Sequence, residues 1–220
     1  MNQIILDAIN AACGAFVTNE LAFLCLTSKI ERPFVDRLAF QLFIQFEKNQ
    51  SFQVTREWSF GRNKRADIAI LCADPRLPAR AVIEVKAMGS FDPIRRGEVA
   101  RQFPNALQRD LNRFQNFNNQ TQIYSLLLAV LPLVEIPQDL RPVVSYISGV
   151  RTAFQRHRNE QEIYDACCNA LNVMITPAIG NGRVAAGTAF GVGVEMLWWL
   201  YGPFAGPENL QLVAHEQPQV

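Results

Sequence analysis

Two short stretches constrain this chain more than any other feature. They are R-A-D-I-A-I-L, from Arg65 to Leu71, and A-V-I-E-V-K-A, from Ala81 to Ala87. Both are apolar runs of strand length, the pattern of β-strands buried on both faces. Each nonetheless carries charge inside the run: Asp67 in the first, Glu84 and Lys86 in the second. An unpaired charge in such a setting is costly, so the fold must supply these groups with partners or an ion. Strand side chains alternate, which sends Glu84 and Lys86 to one face. If the proline-containing loop Ala73–Pro78 closes an antiparallel hairpin, Asp67 falls roughly opposite Lys86 and shares its face. A slip of one residue would send Asp67 to the far side. Two carboxylates and an ammonium are therefore expected to meet on one patch. The competing reading is a buried ion cluster with no chemical role.

Paired carboxylates with room for water are what a hard divalent cation such as Mg²⁺ requires. Asp67 is the expected central ligand and Glu84 the second. Such an ion polarises a phosphodiester oxygen and makes a bound water more acidic. Lys86 is placed to orient or help deprotonate that water and to offset charge in the transition state.

The flanking sequence frames these strands. Ile4 to Thr27 reads as helical, with Gly14 weakening its middle enough to allow two helices. A helix opening at Pro33 runs to about Lys48. Phe52 to Phe60 alternates as a strand, and Gly61 to Lys64 supplies a turn. Gly97 to Phe117 reads as a helix that Pro104 kinks or begins, followed by a strand from Ile123 to Leu131. Pro137 to Arg158 and Glu160 to Met174 read as helices. Val184 to Tyr201 is apolar apart from Thr188 and Glu195, and reads as a buried strand or strand pair rather than a membrane span. The order implies an α/β protein with a mixed sheet flanked by helices. Its expected divisions are a helical segment over 1–30, a main domain over 31–202 and a tail over 203–220.

Composition narrows the function. The net charge is only +1, but between Arg56 and Arg113 there are twelve Lys/Arg against seven Asp/Glu, and the remainder has nine against thirteen. Seventeen of the 21 basic residues are arginine, whose planar fork suits phosphate oxygens. One polyanion-binding face is the expectation, with ordinary surface charge as the bland alternative. Arg62, Lys64 and Arg65 on the turn beside Asp67, and Arg95, Arg96 and Arg101 after the third strand, are candidate phosphate contacts. The five cysteines (Cys13, Cys25, Cys72, Cys167 and Cys168) form no C-x-x-C and mostly lie in apolar runs. They point to a reducing, cytoplasmic setting. His157 and His215 match neither zinc spacing nor a catalytic triad. The N-terminus has no positively charged leader region.

Asp67 followed by Glu84-Val85-Lys86, in the order helix, three strands, helix, strand (αβββαβ), resembles the PD-(D/E)XK nuclease superfamily, the restriction-endonuclease-like fold. The resemblance covers roughly Glu31 to Leu131. Ala66 stands where the motif has proline. The likeness implies a Mg²⁺-dependent endonuclease (Mn²⁺ substituting) acting on double-stranded DNA, or less often RNA, in restriction, phage defence or repair. A homodimer would serve for cutting both strands. It assigns catalysis to Asp67, Glu84 and Lys86, and adds the Val85 carbonyl to the metal ligands. It also implies an accessory acid on the preceding helix. Glu31 and Asp36 are candidates, with Glu57 on the first strand a third. On the helix after the third strand, Gln108, Asp110 and Arg113 stand where polar residues would face the site. The alternative is a silent nucleic-acid- or protein-binding module that keeps the fold.

Overall fold

A computed structural model describes residues 1–47, 51–62, 64–95, 98–115, 117 and 120–205, with 98–103 and 205 described by backbone alone. Helices α1 (Asn2–Gly14), α2 (Glu20–Thr27) and α3 (Glu31–Glu47) come first. Helix α1 buries Ile5, Ala8, Ile9, Ala12 and Cys13, the i, i+3, i+4 spacing of one helical face, and ends at Gly14. Helix α3 buries Phe34, Leu38, Leu42 and Phe46 on its inner side. Pro33 lies in its first turn, where a missing N–H breaks no bond.

Strands β1 (Phe52–Gly61), β2 (Lys64–Cys72) and β3 (Ala81–Gly89) form an antiparallel meander. Helix α4 (Glu98–Asn112) then crosses to β4 (Gln122–Pro132), which lies parallel to β3. Parallel neighbours need such a crossover, because a tight turn cannot reverse the chain twice. Helices α5 (Ile147–Arg156) and α6 (Glu160–Met174) precede a final hairpin of β5 (Gly180–Ala189) and β6 (Val192–Ala205). The sheet order is β1-β2-β3-β4-β6-β5, a six-stranded mixed sheet. β4 is its centre, with every residue from Ile123 to Pro132 buried.

The apolar stretch Val184–Tyr201 is thus a strand pair, and among the described residues no helix is long and apolar enough to cross a membrane. Two expectations need correction. The span 137–158 is not one helix. It is a single 3-10 turn, Gln138–Leu140, then irregular chain through Pro142 to Tyr146 in the left-handed region (φ 70°), where α5 begins. Proline at 142 denies the N–H a continuing helix would use. The β2–β3 register also differs from the one expected. Ile70 pairs with Ala81 and Ile68 with Ile83, so Asp67 comes level with Glu84 rather than Lys86. The offset is two residues, which preserves the face. Its cause is that Leu71 and Cys72 continue β2 only against β1, pairing with Gln53 and Phe52, and the connection to β3 closes one step sooner.

Candidate active site

The ladder between β2 and β3 runs from Ile70 down to Ile68 against Ala81 to Ile83. Beyond it, the β3 amides that would continue pairing with β2 go to carboxylates. Val85 N–H donates to Asp67 Oδ2 at 2.7 Å, and Ala87 N–H donates to Glu31 Oε2 at 3.1 Å. A strand residue turns its N–H and C=O to the same side, so the Val85 carbonyl faces the same opening, between the two carboxylates. Glu31 reaches this place from the first turn of α3.

Glu84 and Lys86 meet α4. Lys86 Nζ donates to Asp110 Oδ2 at 3.1 Å. The Arg113 guanidinium pairs with Glu84 Oε1 and lies 3.5 Å from Asp110 Oδ1. Glu84 is only 6% exposed, and its second oxygen, Oε2, is buried without a hydrogen-bond partner. These surroundings shift all three central groups. Burial, and then the nearby Asp67 carboxylate, push the Glu84 carboxyl up to about 8 despite Arg113. Burial pushes Asp67 up to about 6; the Val85 N–H works against this, while Glu31 and Glu57 add to it. Burial alone would lower the Lys86 ammonium, but its hydrogen bond and ion pair with Asp110 outweigh this and raise it.

A cleft of about 1030 Å³ opens beside Asp67 between α3 and β1. Glu31, Glu57 and Asp67 line one end of it, and Phe40, Phe43 and Val54 the other. Glu57 stands opposite Asp67 in β1, bracketed by the pairs Arg56–Ile68 and Trp58–Ala66, and takes a left-handed backbone (φ 50°).

Of the residues expected at the site, Asp67, Glu84, Val85 and Lys86 converge, and Glu31 joins them as the helix acid. Asp36 points instead to Arg56 on β1, and both side chains are more than half exposed. Glu57 faces Arg65 at 3.7 Å and lines the cleft. Among the candidate phosphate contacts, Arg62 is exposed on the β1–β2 turn and Lys64 is half-buried beside it. Arg95 pairs with Asp92 and lies over the Phe91 ring. Gln108 donates to Asn112 along α4 at 2.9 Å. Arg113 turns inward to Glu84. Arg96, and the side chain of Arg101, lie outside the described residues. The sequence marks Asp110 only as a polar residue facing the site. Its position one helical turn before Arg113, at i and i+3, is the signal that the two act on one patch.

Among the described residues no three His, Cys, Asp or Glu side chains are close enough to hold a metal ion between them. Any cation at this site would draw on Asp67, Glu84 and the Val85 carbonyl, with water for the rest. Mg²⁺ commonly accepts one or two carboxylates on such terms. The orphaned Glu84 Oε2 fits that donor set. No family model, curated protein or solved structure matches this chain.

Proposed function

We propose that this chain is a Mg²⁺-dependent nuclease hydrolysing phosphodiester bonds in DNA, with Asp67, Glu84 and Lys86 at its centre. The observation that carries this reading is the buried, unpartnered Glu84 Oε2 beside Asp67. The immediate charges do not balance. Glu31, Asp67, Glu84 and Asp110 are four carboxylates against the two cations Lys86 and Arg113, leaving −2 when all are ionised. A divalent cation restores neutrality and gives the orphaned oxygen a partner.

The residues then divide the work. Bound Mg²⁺ supplies Lewis acidity, polarising a phosphate oxygen and acidifying a water. Asp67 and Glu84 offer oxygens from adjacent strands. The Val85 amide fixes the orientation of the Asp67 carboxylate, as a neighbouring hydrogen bond does for a metal ligand. Asp110 holds Lys86 in its protonated form, so Lys86 works as a positioned donor to the attacking water and the phosphate oxygens rather than as a base. Glu31, tied to the Ala87 amide, lines the cleft beside Asp67 and takes the role of proton acceptor.

One observation favours a second reading: Arg113 already pairs with Glu84, as it would in a silent binding module that uses the pair to tie α4 to the sheet. A plasmid-nicking assay with Mg²⁺ and with EDTA separates the two. The nuclease reading expects nicking in Mg²⁺ that EDTA stops, that Asp67→Ala and Glu84→Ala each abolish, and that Lys86→Ala strongly reduces. Nicking unchanged in all three variants overturns the assignment, and a wild-type chain that never nicks favours the silent module.

A further inference from the structure

The cleft beside Asp67 carries more detail about what would enter it. Its α3 wall is a stripe at helical spacing, Arg32, Asp36, Phe40 and Phe43, which begins next to Glu31 at the site and leads away from it. Phe40 is 56% exposed and Phe43 45%. Two large rings left in water on one helix face need an explanation that core packing does not provide. They lie nearly parallel, with centroids 6.3 Å apart and planes inclined at 19°. The opposite wall is β1, with Val54, Thr55 and Arg56. From Glu31 to Phe43 is twelve residues, about 18 Å along a helix. That length matches roughly five stacked nucleotides at about 3.4 Å each.

Resting on the nuclease reading above, we infer that this cleft takes an unpaired nucleic-acid strand, whose bases lie on Phe40 and Phe43 while its phosphate reaches Asp67. Every base presents a π-face, so such a platform works without reading sequence. A base buried in a duplex does not offer that face, which makes the preferred substrate a single strand, an end or an opened junction. The cleft's acidic groups suit this division of labour. Asp36 and Glu57 are paired with Arg56 and Arg65, and Glu31 and Asp67 lie at the end where the phosphate would meet the metal. Arg32 on the α3 wall remains as a donor to the backbone. A protein partner seated on the same rings would have to fill the mouth of the cleft that leads to Asp67.

The test uses the full chain carrying Asp67→Asn, in EDTA, so that neither metal nor cleavage is involved. Fluorescence anisotropy compares a labelled single-stranded oligothymidylate with an oligothymidylate–oligoadenylate duplex. The expected result is at least tenfold tighter binding of the single strand, and roughly tenfold weaker single-strand binding when Phe40→Ala and Phe43→Ala are combined, with duplex binding unchanged. Phe40→Tyr with Phe43→Tyr should retain the affinity, since tyrosine keeps the π-face. Both residues are exposed, so the alanine variant should keep its circular dichroism and melting temperature. Equal binding of single strand and duplex, or an alanine variant that binds the single strand as well as its parent, overturns the inference. So does an alanine variant whose only change is from dimer to monomer in light scattering, which assigns the rings to a protein interface. Failure of Mg²⁺-dependent nicking would leave these measurements intact, so the two readings fail separately.

Discussion

Two glutamates sit in apolar strands on either side of β4, and their surroundings differ. Glu195 on β6 meets Arg183 from the neighbouring strand β5. That arginine also bonds Gln161 at 2.9 Å and lies 4.8 Å over the Tyr164 ring. The Glu195 side chain keeps 19% of its surface in solvent. Glu84 on β3 keeps 8%, has one oxygen against Arg113 and the other against nothing, and faces two further carboxylates. The first is a closed arrangement of one anion, one cation and neutral neighbours. The second has more negative charge than its cations balance, in a place where water cannot help. An embedded charge by itself therefore says little, because a chain can close it off. An embedded charge left open beside a cleft is what separates a candidate site from a structural pair.

The largest effect expected from this contrast is on catalysis. Asp67→Asn and Glu84→Gln should each lower nicking by on the order of a thousandfold or more, as loss of a central electrostatic element does. Glu195→Gln should leave nicking unchanged and cost stability by about 1 kcal/mol. Initial-rate nicking assays and urea melts on the three variants measure both. If Glu195→Gln silenced the protein as fully as Glu84→Gln, the distinction between open and closed carboxylates would collapse. Next in size is Lys86→Ala, for which a loss of about a hundredfold is expected, the scale of one positioned proton donor. Asp110→Asn should give part of that loss. It should also shift the alkaline limb of the pH–rate profile to lower pH, because Asp110 raises Lys86.

The third effect is on stability, and its sign follows from the protonation states. Asp67 and Glu84 both hold protons more tightly in the folded chain than in the unfolded one, up to about 6 and about 8. At low pH both states are protonated and the groups contribute no difference. As pH rises from about 4 to about 8 the unfolded chain ionises first. While one of these carboxyls is ionised only in the unfolded chain, each further pH unit costs the fold about 1.4 kcal/mol. Without metal, the melting temperature should fall across this window, and Glu84→Gln should flatten most of the fall. Mg²⁺ needs the ionised forms, so its stabilising effect should grow over the same window and be small near pH about 5. Melts with and without Mg²⁺ check this. A Mg²⁺ effect independent of pH would mean that these carboxylates do not bind it.

How much of this was legible in the sequence depends on the kind of interaction. Alternation along β3 put Glu84 and Lys86 on one face, and the charges inside apolar runs singled out Asp67. Both follow from local periodicity and hold in the structure. The pairing of Asp67 with Glu84 was not legible, because the residue at which β2 stops pairing with β3 depends on how far β2 continues against β1. Nor was the choice among Glu31, Asp36 and Glu57. It turns on the angle at which α3 crosses the meander, and that angle aims Glu31 at the Ala87 amide and Asp36 at Arg56. The aromatic platform escaped for a related reason. Phe43 widens the apolar side of α3 in sequence, and only the packed helix shows that Phe34, Leu38, Leu42 and Phe46 turn inward while Phe40 and Phe43 do not.

The smallest effect concerns backbone strain and returns to the two halves of the sheet. Strand β5 breaks its register between Ala185 and Gly187, and glycine sits at the break with φ 103°, where it is at little cost. In β1 the register break lies between Ser59 and Gly61, and the left-handed residue is instead Glu57, at φ 50°, beside Asp67 in an unbroken stretch of the ladder. A side chain in the left-handed region costs about 1–2 kcal/mol, and residues held that way tend to gather at functional positions. Glu57→Gly should therefore stabilise the fold, by about 1 kcal/mol after the greater freedom of glycine in the unfolded chain is set against the relief. It also removes a charge that raises Asp67, so the acid limb of any pH–rate profile should move to lower pH. Glu57→Ala separates the two contributions: it keeps the strained backbone, so the acid limb should move equally while the stability gain stays smaller. Equal stability for the glycine and alanine variants in urea would show that the left-handed conformation at 57 carries no strain.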